Sequence, residues 1–169
     1  KILGSFAKEL EGQEVDVRLM LVPTAVCIYE EKLPEYAPVR DQMETAEIIY
    51  GISGIKPVDC SKDLLAYKAK GELYYKTDHH WTTLGAYAGY TAYCREKGMD
   101  AVSLEEMTAQ TAAEDFRGTV YSKAGDYGRE GDPITIYTPR SLSSVFILYS
   151  SNTSVTPGCS LINSDTPCL

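Results

Sequence analysis

Apolar positions change period along this chain, and the changes divide it into elements. Val15, Val17, Leu19 and Leu21 alternate, and Met20 and Val22 fill the other face before Pro23 closes the run. That pattern predicts a central strand buried on both faces. Pro34 and Pro38 punctuate the loop that follows. Val39, Met43, Ala46 and Ile49 then recur at helical spacing, with Pro38 placed for a first turn and Gly51 for a C-terminal cap. Residues 55–58 read as a second short strand, and Ser61 is suited to cap a helix reaching Ala66 or Lys70.

The second half begins with a helix over 83–97. Arg95, Glu96 and Lys97 occupy its last turn, and Gly98 falls where a left-handed cap belongs. Ser103 and Glu106 make a capping-box pattern that predicts a further helix to about residue 113. Residues 116–122 read as a turn and strand, 126–132 as a glycine-rich loop, and 134–138 as a strand. Strands alternating with helices predict an α/β layered domain with a largely parallel sheet. The pattern breaks near Ser141. From there to Leu169 the only charged residue is Asp165, serine is very frequent, and helical periodicity is gone. Residues 143–150 suit one strand, and the rest reads as a polar segment of low complexity. The chain thus divides into an α/β domain over 1–140 and a serine-rich, low-charge tail over 141–169.

Composition narrows the function classes. The 169 residues are 44% hydrophobic and 24% charged, ordinary values for a folded domain of this size. Net charge is −8 and lysine and arginine form no cluster, which disfavours nucleic acid and anionic membrane as partners. Cys27, Cys60, Cys94, Cys159 and Cys168 are odd in number and lack a C-x-x-C, so they signal neither a zinc ribbon nor a disulfide framework. Cys27, Cys60 and Cys94 read as small buried hydrophobes; a Cys159–Cys168 bridge is left open. No run approaches the roughly 18 apolar residues of a membrane span. The start at Lys1 suggests a portion of something longer.

The chemistry concentrates in Tyr75-Lys76-Thr77-Asp78-His79-His80-Trp81-Thr82-Thr83-Leu84-Gly85, which holds both histidines and the only tryptophan. In an extended segment, Asp78 and His80 would share a face and His79 would point away. A carboxylate beside an imidazole fixes its tautomer and stabilises its cation, so the pair suits the base-and-orienter half of a catalytic triad. The helix predicted after Trp81, with Thr82 as its cap, would bring an anion-favouring N-terminus beside His80, and Trp81 would supply an aromatic wall. A buried Asp–His hydrogen bond that merely pins a turn fits the spacing equally well. Metal binding is not expected, because neighbouring histidines in a strand diverge and no remote ligand pair completes a set. Ser122 reads as a structural turn serine without an elbow motif. The loop containing Gly125, Gly128 and Gly131 lacks the lysine and hydroxyl of a phosphate cradle. Tyr90 and Tyr93, three residues apart, read as helix packing rather than as a carbohydrate groove.

The segment from Lys76 to Gly85 resembles the signature of the DHHW proteins, and is similar to the D-x-H-W-T segment of the SGNH-like alginate O-acetyltransferases. The resemblance takes in Val22-Pro23-Thr24, Lys32-Leu33-Pro34, Val58-Asp59 and Phe116-Arg117-Gly118-Thr119-Val120-Tyr121-Ser122-Lys123. It implies a flavodoxin-like three-layer α/β/α domain of the SGNH type, incomplete at its C-terminus, working without a cofactor. Carried over, Asp78 orients the imidazole, His80 is general base, and His79 takes the variable middle position. Trp81, His79 and Thr82 would shape the site or touch substrate. The resemblance also implies a serine in a later Gly-Asp-Ser-like block, and none follows Trp81. A truncation or frame shift near residue 140 accounts for both the missing block and the change in composition. Loss of the nucleophile, or its replacement by Ser150 or Ser151, accounts for less. The expectation is a serine esterase or carbohydrate O-acetyltransferase domain at the bacterial cell surface, with weak or no turnover in this chain. Its partner would be a carbohydrate or an acyl ester; the oligomeric state is not indicated. The alternative is a non-catalytic module that binds or scaffolds surface polysaccharide.

Overall fold

The computed structural model describes residues 2–125 and 127–140. In chain order the elements are α1 (Ile2–Glu11), β1 (Arg18–Leu19), α2 (Ala25–Ile28), α3 (Gln42–Ser53), β2 (Lys56–Pro57), α4 (Ser61–Tyr67), α5 (Thr83–Lys97), β3 (Met107–Phe116), α6 (Thr119–Ala124) and β4 (Asp132–Pro139). Three short 3-10 turns, Glu30–Lys32, Lys68–Lys70 and Leu104–Glu106, join them.

Helix α5 is the element around which the core is laid. It begins where the Thr82 hydroxyl accepts the Gly85 N–H at 3.2 Å, and ends at Gly98, whose φ of 65° turns the chain left-handed. Both ends fall where the sequence places them. One side of α5 carries Leu84, Ala88 and Ala92, which pack with Leu64 of α4 and with Ile28, Tyr29, Val58, Cys60, Leu73 and Tyr74. Small residues on this side let neighbours approach closely. A side chain at Gly85 would strike the Leu73 carbonyl, and one at Gly89 would strike the Trp81 indole.

Strands β1 and β2 pair in parallel, Arg18 with Lys56 and Leu19 with Pro57, as expected for this fold class. The first strand is far shorter than the alternation over 15–22 predicts, and it is not buried on both faces. Val15 and Val22 are exposed. The last bond of the ladder runs from the Val58 N–H to the Leu19 carbonyl at 2.8 Å, and beyond it the Tyr50 hydroxyl comes between the two chains. The Tyr50 hydroxyl accepts the Leu21 N–H at 2.9 Å and donates to the Val58 carbonyl. Helix α3 is also displaced toward the C-terminus. The Asp41 carboxylate caps it by accepting the Glu44 N–H at 3.0 Å, and Gly54, at φ 67°, closes it, so neither Pro38 nor Gly51 plays the part assigned to it. Helix α4 is capped from outside, since Asp59 accepts both the N–H and the hydroxyl of Ser61. Helix α1 lies where no element is expected, although Ile2, Phe6, Ala7 and Leu10 follow helical spacing; only Ala7 is buried.

Among the described residues the strands do not form one largely parallel sheet: β1 and β2 make one two-stranded sheet, and β3 and β4 make a second, antiparallel one, from Met107–Pro139 to Phe116–Asp132, with register shifts around Ala113. The Ser103–Glu106 capping box forms, but it closes only the 3-10 turn Leu104–Glu106. Beyond it Thr108, Gln110 and Thr111 offer no apolar stripe for a helix to bury, and the ladder with β4 satisfies their backbone instead. The reverse holds for 116–122, predicted as a turn and strand. Phe116 ends β3, and the chain from Thr119 becomes α6, bracketed by Gly118 and by Gly125 in the left-handed region. The tail, its proposed strand over 143–150, and Cys159 and Cys168 lie outside the described residues.

Cys60 and Cys94 are buried free thiols, as expected; Cys27 is only half-buried. Burial pushes the Cys60 thiol up to about 11. Among the described residues, no helix is long and apolar enough to cross a membrane.

Candidate active site

The histidine segment is a tight loop, not a strand. Tyr74 and Trp81 form an antiparallel bridge, Tyr75 N–H donates to the His80 carbonyl, and Thr82 N–H donates to the Leu73 carbonyl. Inside this closed loop a second carboxylate does the anchoring. Asp132, buried at the start of β4, accepts the Lys76 N–H at 3.0 Å, the Thr77 N–H at 2.8 Å and the Thr77 hydroxyl at 2.6 Å. Thr77 itself is fully buried, and its hydroxyl oxygen also accepts the Gly118 N–H. The ribbon β3–β4, through Asp132 and Phe116, therefore sets the position of residue 78.

Asp78 is the centre of the cluster. Its side chain is only 4% exposed, whereas those of His79 and His80 are 62% and 67% exposed. Oδ2 accepts the Thr119 N–H at 2.8 Å and the Thr119 hydroxyl at 3.1 Å. Oδ1 accepts the His80 N–H at 3.0 Å and also meets His80 Nδ1 in a short contact. Burial works to raise this carboxyl, but the donors from Thr119 and His80 together outweigh it and hold it well below the usual carboxylate range. Asp78 is thus an acceptor only, so the proton in its contact with His80 belongs to Nδ1. In the neutral ring, the lone pair is then on Nε2.

His79 does not point away. Its ring lies 3.9 Å from that of His80, centroid to centroid, and its Nδ1 is 3.6 Å from Asp78 Oδ1. Nδ1 also lies 2.8 Å from the Thr119 hydroxyl. Since that hydroxyl donates to Asp78, His79 is the donor in its own contact, and both imidazoles are turned toward one carboxylate. The bends at 76–80 bring onto one side what strand alternation would have separated.

Helix α6 completes the pocket. Gly118 packs so tightly on Asp78 that a Cβ there would lie 2.2 Å from Oδ2 and 2.3 Å from the Asp78 Cβ. The resulting cleft, about 490 Å³, is lined by Asp78, His80, Phe116, Arg117, Gly118, Thr119, Ser122 and Lys123. Ser122 is in a helix, and its hydroxyl donates back to the Gly118 carbonyl at 3.3 Å. Thr82 is the cap that the sequence suggests, but it and Thr83 line a separate cavity with Tyr75, Asp132 and Tyr137. The α5 N-terminus therefore does not border the His80 cleft. Trp81 is half-buried against Gly85 and Gly89 and packs on the core, where it shapes the loop from behind. An apolar groove between α3 and the β1 end, lined by Met43, Ile49 and Tyr50, shares no residue with the cleft.

Asp78 and His80, singled out from the sequence, are in contact, and they meet Gly118, Thr119 and Asp132, which the sequence did not single out for this cluster. A glycine followed by a hydroxyl residue at a helix start signals a close approach, and Asp132 sits in Gly-Asp-Pro; neither pattern names its partner across more than forty residues.

The fold that carries this carboxylate–imidazole pair is that of the SGNH hydrolase-like proteins. The family described as SGNH hydrolase-like domain, acetyltransferase AlgX, matches residues 1–130, and the chain belongs to that family. Among solved structures, the O-acetyltransferase domain of Pseudomonas putida AlgJ shares the fold at TM-score 0.64 and 18% identity, over 82% of this chain and 54% of that one. A DHHW family protein from Eubacterium siraeum matches at TM-score 0.64 and 30% identity, over 81% of this chain and 48% of that one. Bacillus cereus PatB1, solved with a sulfonyl adduct, matches at TM-score 0.58 and 20% identity, over 82% and 47%. The chain spans about half the length of these structures. No curated protein matches.

Proposed function

We propose that this domain supplies the general base and its orienting carboxylate for acyl transfer to or from a carbohydrate hydroxyl, outside the cytoplasm. The observation that carries the reading is the contact between Asp78 Oδ1 and His80 Nδ1. An Asp78 held ionised accepts from His80 Nδ1, and so presents Nε2 as a base to the solvent-open cleft. Nε2 would take the proton of an attacking hydroxyl and return it to the leaving group, while Asp78 stabilises the imidazolium between the two steps. Membership of an acetyltransferase-type family, and an O-acetyltransferase domain among the structures sharing the fold, support acetyl as the group moved. Ser122 is not the nucleophile in this reading, because its hydroxyl turns back to the Gly118 carbonyl. The attacking hydroxyl comes from outside the described residues, or is water in a slower hydrolysis.

The test is cleavage of an activated acetyl ester by the purified chain and by His80→Ala. Slow cleavage that falls about 10²-fold or more in the variant is expected for a lost general base. Equal rates in the two proteins, with polysaccharide binding retained in both, would replace the enzyme reading with that of a binding module.

A further inference from the structure

We propose that Asp78, His79 and His80 also form a site for a divalent transition-metal ion of the zinc class, and that its occupancy switches the base off. One donor atom from each residue lies within 4.8 Å of the other two. A tetrahedral ion with ligands at about 2.0–2.2 Å holds its donors roughly 3.3–3.6 Å apart, so small rotations of two exposed rings close the set. His79 Nδ1 is already 3.6 Å from Asp78 Oδ1.

The surroundings suit a cation. Asp78 contributes a full negative charge, and the two donors from Thr119 engage Oδ2, which leaves Oδ1 directed at the rings. Outer hydrogen bonds of this kind orient a ligating carboxylate. Two imidazoles and one carboxylate are borderline ligands of the sort zinc takes, and the open side of the cleft leaves a fourth position for water. His79, which the base mechanism leaves without a task, becomes a ligand.

The consequence for catalysis rests on the proposed base role of His80. A metal at Nδ1 takes the place of the proton that Nδ1 now donates to Asp78, and that proton moves to solvent or to Nε2. The neutral ring then carries its proton on Nε2, a donor toward the cleft where a base is needed. The ion therefore inhibits, and a chelator restores.

Binding is read without any activity assay. The chain contains only two histidines, so its imidazole nitrogen signals report the site directly. Titrated zinc should shift both sets with a stoichiometry of one. Cobalt(II) should give the visible spectrum of a four- or five-coordinate nitrogen and oxygen site, without a thiolate charge-transfer band, and zinc should displace it. His79→Ala should weaken affinity at least tenfold. Unmoved imidazole signals, a thiolate band, or affinity unchanged in His79→Ala would overturn the site. Zinc bound there while His80-dependent ester cleavage continues would overturn the switch and leave the site standing.

Discussion

Replacing Gly118 by alanine tests the account of how Asp78 is held. The backbone there has φ −89° and ψ −162°, which alanine adopts freely, so no backbone strain arises. The whole effect comes from one methyl group. Its carbon would sit 2.2 Å from Asp78 Oδ2, 2.3 Å from Cβ and 2.6 Å from Cγ, all far inside contact distance. The carboxylate cannot yield without stretching the two Thr119 donors on Oδ2, and the loop behind it is pinned by Asp132. Overpacking of this kind costs typically about 1–3 kcal/mol. For a chain of this size that corresponds to a fall in Tm of roughly 3–10 °C. Gly51 is the internal control. A Cβ there meets nothing within 4 Å, and the site is interior to α3, so alanine should stabilise by about 0.5–1 kcal/mol through helix propensity alone. The assay is urea and thermal unfolding followed by the fluorescence of Trp81, the only tryptophan. Gly118→Ala as stable as the parent, with the His80 imidazole spectrum unchanged, would refute the claim that α6 clamps the carboxylate.

Two further outcomes follow from the same network. Asp132→Ala strands the fully buried Thr77 N–H, and a buried donor without a partner costs about 1–3 kcal/mol. The variant should lose that stability and disturb both imidazole signals together, whereas Asp132→Asn, which keeps an acceptor oxygen, should lose less. Asp78 has a folded-state pKa below its unfolded value, so it contributes stability that is complete above about pH 4 and is lost as pH falls through the folded value. In urea titrations Asp78→Asn should accordingly be less stable than the parent at pH 7, with the gap narrowing as pH drops below about 4; a constant gap would show that the carboxylate is not specifically stabilised.

What the sequence revealed of the fold follows from where local signals agree with tertiary demands. Helix α5 was legible to the residue because a threonine cap, a small-residue face and a terminal glycine all point the same way. The segment after Ser103 was misread because its capping box is genuine but local, satisfied by a single turn. Its fate is decided by the partner strand Asp132–Pro139, whose pairing leaves little trace in a mostly exposed ribbon. Tyr50 shortens β1 by a side-chain hydroxyl acting across almost thirty residues, and no period in 15–22 encodes that.

The site was half legible for a related reason. The Asp78–His80 pair is two residues long, and any backbone that brings them together keeps their chemistry. The error was to assume a strand, which placed His79 on the far side. The loop closes because Asp132 gathers two consecutive N–H groups and a hydroxyl onto one carboxylate, an arrangement that demands bent rather than extended backbone. Bending rotates His79 back toward Asp78, where the Thr119 hydroxyl receives its Nδ1. Asp78 and His80, proposed above as orienter and base, and His79 thereby become close enough to share an ion. The two roles compete for one nitrogen, His80 Nδ1, so conditions that load the site with metal should be those in which the base is idle.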